Sequence, residues 1–284
     1  LARNNQGRTK AAPAKTKQTT KSAPKTTTSV LEFVTPTDFV ELPSAGRFYG
    51  SSHPLHGSST VEIRYMTARD EDILTSQTLL RKGMALEKFL ENVLVDKAID
   101  PSSLLIGDRN AILVAARITG YGSDYETKVN CPACGAKSTY IFDLSDARTH
   151  SGEGSEDYTA EETTRGTFNV ELPLTKVTAE VRLLTGKDET SISQNSTKRR
   201  ASALENNLTD QLTRCIVALN DDTDANTIKR FVELMPARDS RYLRNAIKAV
   251  TPNIDMSQNF HCSECGHEQD MEVPFTADFF WPNR

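Results

Sequence analysis

The hydrophobic pattern changes period several times along the chain, and those changes define its elements. Val61 and Ile63 alternate with polar residues as a half-buried strand does. Leu86, Leu90, Val93 and Leu94 fall at i, i+4, i+7 and i+8, the spacing of one helix face. A second helix follows, opened by Asp108 as an N-cap, with Ile112 and Ala116 on its inner face. Tyr140, Phe142 and Leu144 then alternate again as a strand.

The same succession returns further on. Arg64, Thr67 and Asp70 are answered by Arg182, Thr185 and Asp188, each 118 residues later. Thr67 and Thr185 stand as helix caps, with Asp70 and Asp188 three residues on, as in a capping box. Leu208, Leu212, Cys215 and Ile216 repeat the first helix face. Asp239 answers Asp108 as an N-cap, Leu243 answers Ile112 and Ile247 answers Ala116, now at an offset of 131. Met271, Val273 and Phe275 repeat the final strand. The growth in offset is accounted for mainly by a polar insertion from Ser191 to Asn206, which carries Lys198, Arg199 and Arg200. The pattern predicts an α+β fold made by tandem duplication, with the two units related by a pseudo-twofold axis.

Charge separates the remaining segments. The chain of 284 residues has a net charge of -4. Residues 1–29 hold seven Lys or Arg and no acid, leaving 27 basic against 38 acidic residues elsewhere, so a +7 arm precedes a -11 body. The arm lacks aromatics and is predicted to be disordered when alone. Its charge suits an acidic protein surface, and with no ring to stack on a base it is a poor reader of nucleic acid. Ser145–Gly166 is rich in Gly, Ser, Thr and Glu and reads as a loose acidic linker. The expected divisions are therefore an arm at 1–29, a first repeat at 30–145, a linker at 146–167 and a second repeat at 168–284. No apolar run is long enough to span a bilayer, and none follows the basic residues as a secretory leader requires.

The five cysteines carry the chemistry. Cys131-Pro132-Ala133-Cys134-Gly135 and Cys262-Ser263-Glu264-Cys265-Gly266 are both C-x-x-C-G knuckles, 131 residues apart. Each offers two thiolates, and a structural zinc takes four. Cys131, Cys134, Cys262 and Cys265 are thus expected to close one zinc-ribbon-like site shared by the two repeats, with zinc ahead of iron as its occupant. A redox dithiol fits less well, because each knuckle leads into a strand and not a helix. Cys215 has Val93 as its counterpart and reads as a small core residue. His261 and His267 beside the second knuckle, and His53 and His56 in a Gly- and Ser-rich loop, read as solvated surface residues, as do Asp70, Glu71 and Asp72 at a helix start. No catalytic motif is present, no small-molecule substrate is expected, and the chain reads as a non-enzyme.

The run Glu41-Leu42-Pro43-Ser44-Ala45-Gly46-Arg47-Phe48-Tyr49 resembles a baseplate hub (hub assembly) protein family of T-even-type contractile-tailed bacteriophages. Val61–Leu74, Asp96–Asn110 (with Ile99-Asp100-Pro101 and Gly107-Asp108-Arg109-Asn110) and Cys131–Cys134 continue the resemblance. It covers Asp38–Leu144 well and the second half more weakly. The resemblance implies a non-enzymatic tail-assembly or hub component that binds other baseplate and tail proteins. It would act in the host cytoplasm during assembly and in the virion tail baseplate if retained. A zinc-ribbon nucleic-acid-binding protein is the alternative, and the -11 body opposes it.

Overall fold

The computed structural model describes residues 35–199, 207–274 and 277–280. The arm, residues 200–206 and Phe275 lie outside them, and so do the expectations placed there.

Strand β1 (Thr37–Glu41) pairs antiparallel with β2 (Thr60–Arg64), placing Val40 opposite Val61 on the core side. Three helices follow: α1 (Ala68–Thr75), α2 (Gln77–Lys82) and α3 (Ala85–Val93). Gly83, at φ 67, ends α2 in the left-handed conformation that glycine adopts without strain. Ala85, Phe89, Leu90 and Val93 bury one face of α3. Burial of a side chain the size of Phe89 or Leu90 contributes about 1.5–3 kcal/mol. Leu94 leaves the helix and bridges Ile63 of β2. A short turn at Pro101–Ser103 leads into α4 (Ile106–Tyr121). Then come the hairpin β3 (Asp124–Asn130) and β4 (Lys137–Asp143) and the short strand β5 (Arg148–His150).

The second half begins with β6 (Glu161–Glu162), β7 (Phe168–Glu171) and β8 (Thr178–Val181). Helices α5 (Gly186–Arg199) and α6 (Asn207–Cys215) lead to β9 (Ile216–Leu219), and β6-β7-β8-β9 form a four-stranded sheet in that order. Next are α7 (Ala225–Leu234), capped by the Asp224 carboxylate accepting from Thr227 N–H at 2.8 Å, and α8 (Ala237–Val250). Strand β10 (Asn253–Asp255) reaches back to pair with β5. The hairpin β11 (Ser257–His261) and β12 (Glu268–Glu272) follows, and a turn at Ala277–Phe280 ends the described chain. Both halves feed one apolar core, which includes Ile63, Phe89 and Ile112 from the first and Val170, Leu243 and Phe260 from the second.

Several local expectations change. Asp108 and Asp239 are not N-caps; each sits in the first turn of its helix, fully buried. Asp108 accepts from Ser44 N–H (2.9 Å), Ser44 Oγ–H (2.6 Å) and the Tyr49 hydroxyl (2.8 Å). Asp239 accepts from Leu174 N–H (2.8 Å) and Thr175 N–H (2.9 Å). The helix dipole favours a carboxylate at that place, so each one ties a distant loop to its helix. Those loops carry a match not read from the sequence: Thr37…Val40-Glu41-Leu42-Pro43 and Thr167…Val170-Glu171-Leu172-Pro173, 130 residues apart.

Asp70 is not a solvated helix start but is fully buried. Its carboxylate takes both Arg64 Nη atoms, at 2.7 and 2.8 Å, together with the Thr67 N–H and hydroxyl. Asp188 repeats the arrangement with Arg182 and Thr185. The face expected through Ile216 breaks at Cys215, where β-branched Ile216 and Val217 enter a strand, and Leu208 is 43% exposed. The expected insertion from Ser191 continues α5 as far as Arg199.

The acidic segment after Ser145 is not loose. It supplies β5 and β6, and its Gly154 N–H donates to Ala249 O at 3.2 Å. Tyr158 packs on Tyr242 with ring centroids 5.4 Å apart and accepts from Asn245 at 2.7 Å. Polar composition hid this, because the segment is held by backbone pairing and two tyrosine contacts. His53 and His56 are also engaged. His53 Nδ1 accepts from Leu55 N–H at 3.1 Å, its Nε2 lies 2.8 Å from Ser103 Oγ, and its ring stacks on Tyr49. His56 Nδ1 lies 2.7 Å from Tyr49 O.

Candidate metal centre

Two hairpins carry the four cysteines, and both make the same turn. Cys131 N–H donates to Ala136 O at 2.8 Å, and Gly135 N–H donates back to Cys131 O at 2.8 Å. Cys262 N–H donates to His267 O at 2.9 Å, and Gly266 N–H to Cys262 O at 2.9 Å. Gly135 at φ 72 and Gly266 at φ 69 hold the left-handed conformation that turns the chain back toward the sulfurs. The leading cysteine of each pair is buried and the trailing one exposed, so the site lies at the rim of the core.

The hairpins also meet directly. Tyr140 OH donates to Asn259 O at 2.9 Å, and its ring lies 5.2 Å from that of Phe260. Gln258 accepts from Asp143 N–H at 3.1 Å and donates to Asp143 O at 2.5 Å. These bonds fix the register of one knuckle against the other before any ion is considered.

Cys131 Sγ then lies 3.7 Å from Cys265 Sγ, and Cys134 Sγ lies 3.8 Å from Cys262 Sγ. All four sulfurs fall within 4.8 Å of one another. A tetrahedron with metal–sulfur bonds of about 2.3 Å has sulfur–sulfur edges of about 3.8 Å. The donor set therefore fits a four-thiolate metal, each hairpin giving two ligands. The pairs lie far beyond the roughly 2.05 Å of a disulfide. Among the described residues this is the one cluster of potential metal ligands that converge in this way.

The electrostatics of the site favour a cation. Backbone N–H groups of Cys134 and Ala133 pull the Cys131 thiol down to about 6. Cys265 goes the other way: the His267 N–H favours its thiolate, but the Cys134 sulfur and burial outweigh that and push it up to about 12. Cys131 ionises readily, and Cys134 and Cys265 resist. A divalent ion removes that resistance by neutralising the charge that the thiolates share.

The other sequence candidates fall outside the cluster. Cys215 is buried on α6, and burial pushes its thiol up to about 12, as suits a core residue. His267 contacts Gln269 at 3.2 Å, and neither His261 nor His267 joins the sulfurs. One residue was missed. Arg117 is fully buried on α4 and donates from Nε to Phe279 O (2.8 Å), from Nη1 to Gly122 O (2.7 Å) and from Nη2 to Asp124 O (3.1 Å). It pins the root of the first cysteine hairpin to the last turn of the described chain. Its signal was an arginine inside the apolar run Ala111–Ile118.

A family model described as T4 bacteriophage base plate protein matches residues 35–281. The chain belongs to that family. The match takes in both knuckles, both Arg–Asp pairs and the two loops tied to α4 and α8. The family match therefore covers the second half of this baseplate-family chain as well as the first. No curated protein and no solved structure matches the chain. None of the described helices is long and apolar enough to cross a membrane.

Proposed function

We propose that this chain is a non-enzymatic structural or assembly component of a contractile phage tail, acting in the hub region of the baseplate by binding other baseplate and tail proteins. The observation that carries the reading is the family match over residues 35–281. Zinc, held by Cys131, Cys134, Cys262 and Cys265, is the occupant we assign to the four-sulfur site, since it is the commoner metal of paired knuckles. It would supply charge neutralisation and a cross-link between the hairpins. Four thiolates fill a tetrahedral sphere and leave no position for a substrate, which supports a structural role.

The architecture we infer is a tandem duplication, 30–145 and 168–284, joined by 146–167, with a pseudo-twofold axis through the metal. The matched Arg–Thr–Asp corners, the buried aspartates of α4 and α8, the Glu-Leu-Pro turns and the knuckles support it. The basic arm of residues 1–29 acts in this reading as a tether to an acidic protein surface, and the -11 body argues against nucleic acid as the partner. In this reading the protein acts in the host cytoplasm during assembly and, if retained, in the virion tail baseplate.

Quantitative mass spectrometry of purified virions and of tail-assembly intermediates tests this. The chain should be found in intermediates, and in virions if it is retained. Its absence from both would overturn the reading. Deleting Leu1–Ser29 should lower incorporation in a salt-dependent way while the body keeps its metal and its melting temperature.

A further inference from the structure

Strands β1 and β7 both run into Glu-Leu-Pro, and both pair with the strand that follows, yet they differ on the other side. β7 has β6 along its second edge, whereas among the described residues β1 has only β2 beside it. Tyr65 N–H donates to Pro36 O and Leu42 N–H to Ser59 O, both at 2.8 Å, which fixes the alternation of the ladder. The backbone groups of Asp38 and Val40 face β2, so those of Thr37, Phe39 and Glu41 face outward. Phe39 is 67% exposed at the centre of that edge, and its N–H is occupied by its neighbour, the Asp38 carboxylate, at 2.8 Å. Asp38, Glu41 and Glu62 make the edge acidic. Arg64, the one basic residue of the two strands, is committed to Asp70. Among the described residues no second strand lies beside Thr37, Glu41 and the Phe39 carbonyl, and such an edge is a template for another strand.

The hairpin that covers β7 is closed to β1. β6 reaches β7 through Gly166 at φ 72. The residue 130 positions earlier is Pro36. Proline holds φ near about −65° and cannot make that turn. A strand that covers β1 therefore does not enter through a turn of the β6–β7 kind.

We propose that β1 is completed by the basic arm of a second copy of this chain, with Lys15–Lys21 adding as a strand along the Thr37–Glu41 edge. The proposal rests on the reading of the arm as a tether and names its acceptor. The segment Lys15-Thr16-Lys17-Gln18-Thr19-Thr20-Lys21 lies between Pro13 and Pro24 and contains no proline, as a pairing strand requires. It is rich in β-branched threonine and has no acid. Lys15, Lys17 and Lys21 share one face of a strand. Their methylene stems can lie over Phe39 while their ammonium groups reach Glu41 and Glu62. An arm-to-edge contact is heterologous, so it closes a ring or extends as a chain of copies.

The test uses the full chain and a synthetic peptide of residues 14–23. Sedimentation of the full chain at low salt should show concentration-dependent self-association. Phe39→Lys, at an exposed position, should weaken this by about tenfold or more without changing the melting temperature. The peptide should bind chain lacking residues 1–29. A peptide carrying Gln18→Pro and Thr19→Pro keeps every charge but blocks pairing on either strand face, and it should bind about tenfold more weakly or worse. A chain that stays monomeric at every concentration, or a proline peptide that binds as well as the native one, overturns the proposal. If arm deletion lowers tail incorporation while Phe39→Lys leaves self-association unchanged, the tether stands and this acceptor falls.

Discussion

Hairpins β3–β4 and β11–β12 end in knuckles whose backbone bonds agree to within 0.1 Å, but the helices that lead into them are held differently. α4 carries Arg117, buried and bonded to three carbonyl oxygens. α8 carries Lys248, 131 residues on, and it is exposed. The four cysteines converge to within 4.8 Å of one another, and a shared metal would leave their placement little room to vary. The roots of the hairpins face different surroundings. The root of the first lies against Phe279, where the chain packs back on α4, and the arginine there joins the carbonyls of Phe279, Gly122 and Asp124. The root of the second has β10 laid against β5 and needs no such clamp.

The largest effect should come from breaking what the hairpins share. Cys262→Ser removes one of four ligands, and the chain should lose stoichiometric metal together with much of its thermal stability, because binding and folding are coupled. Metal analysis of the purified chain should give one ion per chain, and a chelator should reproduce the fall in melting temperature. Stoichiometric metal in a variant lacking all four thiols would sink the assignment. Cys215→Val is the control: metal content should stay unchanged, at a cost of about 1 kcal/mol or less for a near volume-conserving core change.

A smaller effect should come from the clamp that only one half has. Arg117→Met keeps the apolar stem but removes the hydrogen bonds to Phe279 O, Gly122 O and Asp124 O, so a loss of about 3 kcal/mol is expected. Lys248→Met should fall within about 0.5 kcal/mol of the parent, as exposed changes usually do. Denaturant unfolding of the two variants compares them directly, and equal costs would show that Arg117 is no clamp.

The contrast also explains what the sequence could and could not disclose. The knuckles were legible because metal geometry imposes residue type, spacing and a glycine all at once. The Arg64/Asp70 and Arg182/Asp188 pairs were legible as repeated letters, but not as ion pairs on buried carboxylates, because charge beside charge reads equally well as solvent. Asp108 and Asp239 were assigned as helix starts from their type, while their burial depends on Ser44 and Leu174 arriving from about 65 positions away. The strap after Ser145 was misread for the same reason, since its order comes from backbone pairing and from Tyr158, and composition does not register backbone pairing. α3 was legible because Leu86, Leu90 and Val93 recur at helical spacing, although Leu94, the fourth residue of that face, leaves the helix to bridge Ile63.

The smallest expected effect separates the two Arg–Asp corners by their exposure. Burial alone would raise the carboxyl pKa at both corners. At Asp188 the hydrogen bonds from Arg182 and Thr185 outweigh burial and hold it down to about 2. At Asp70 the same groups, Arg64 and Thr67, hold it below the usual carboxylate range. A carboxyl depressed in the folded state stabilises the fold above its unfolded pKa of 3.8, and that contribution disappears as pH falls through the folded value. For Asp188 the window therefore runs from about pH 4 down to about pH 2, and the contribution is about 1–2 kcal/mol once screening at its partly exposed rim is discounted. Arg182 is 36% exposed against 24% for Arg64, so salt should erode the Arg182–Asp188 corner first. Stability measured across that pH range, at low and high salt, in the parent and in Arg182→Met and Arg64→Met, reads each corner separately. The Arg182→Met variant should flatten part of the acid slope and remove part of its salt dependence. Arg64→Met should cost more at neutral pH, because it strands a fully buried carboxylate. If the two variants lose the same stability and show the same salt response, exposure does not distinguish the corners, and the two halves are more alike than their surroundings suggest.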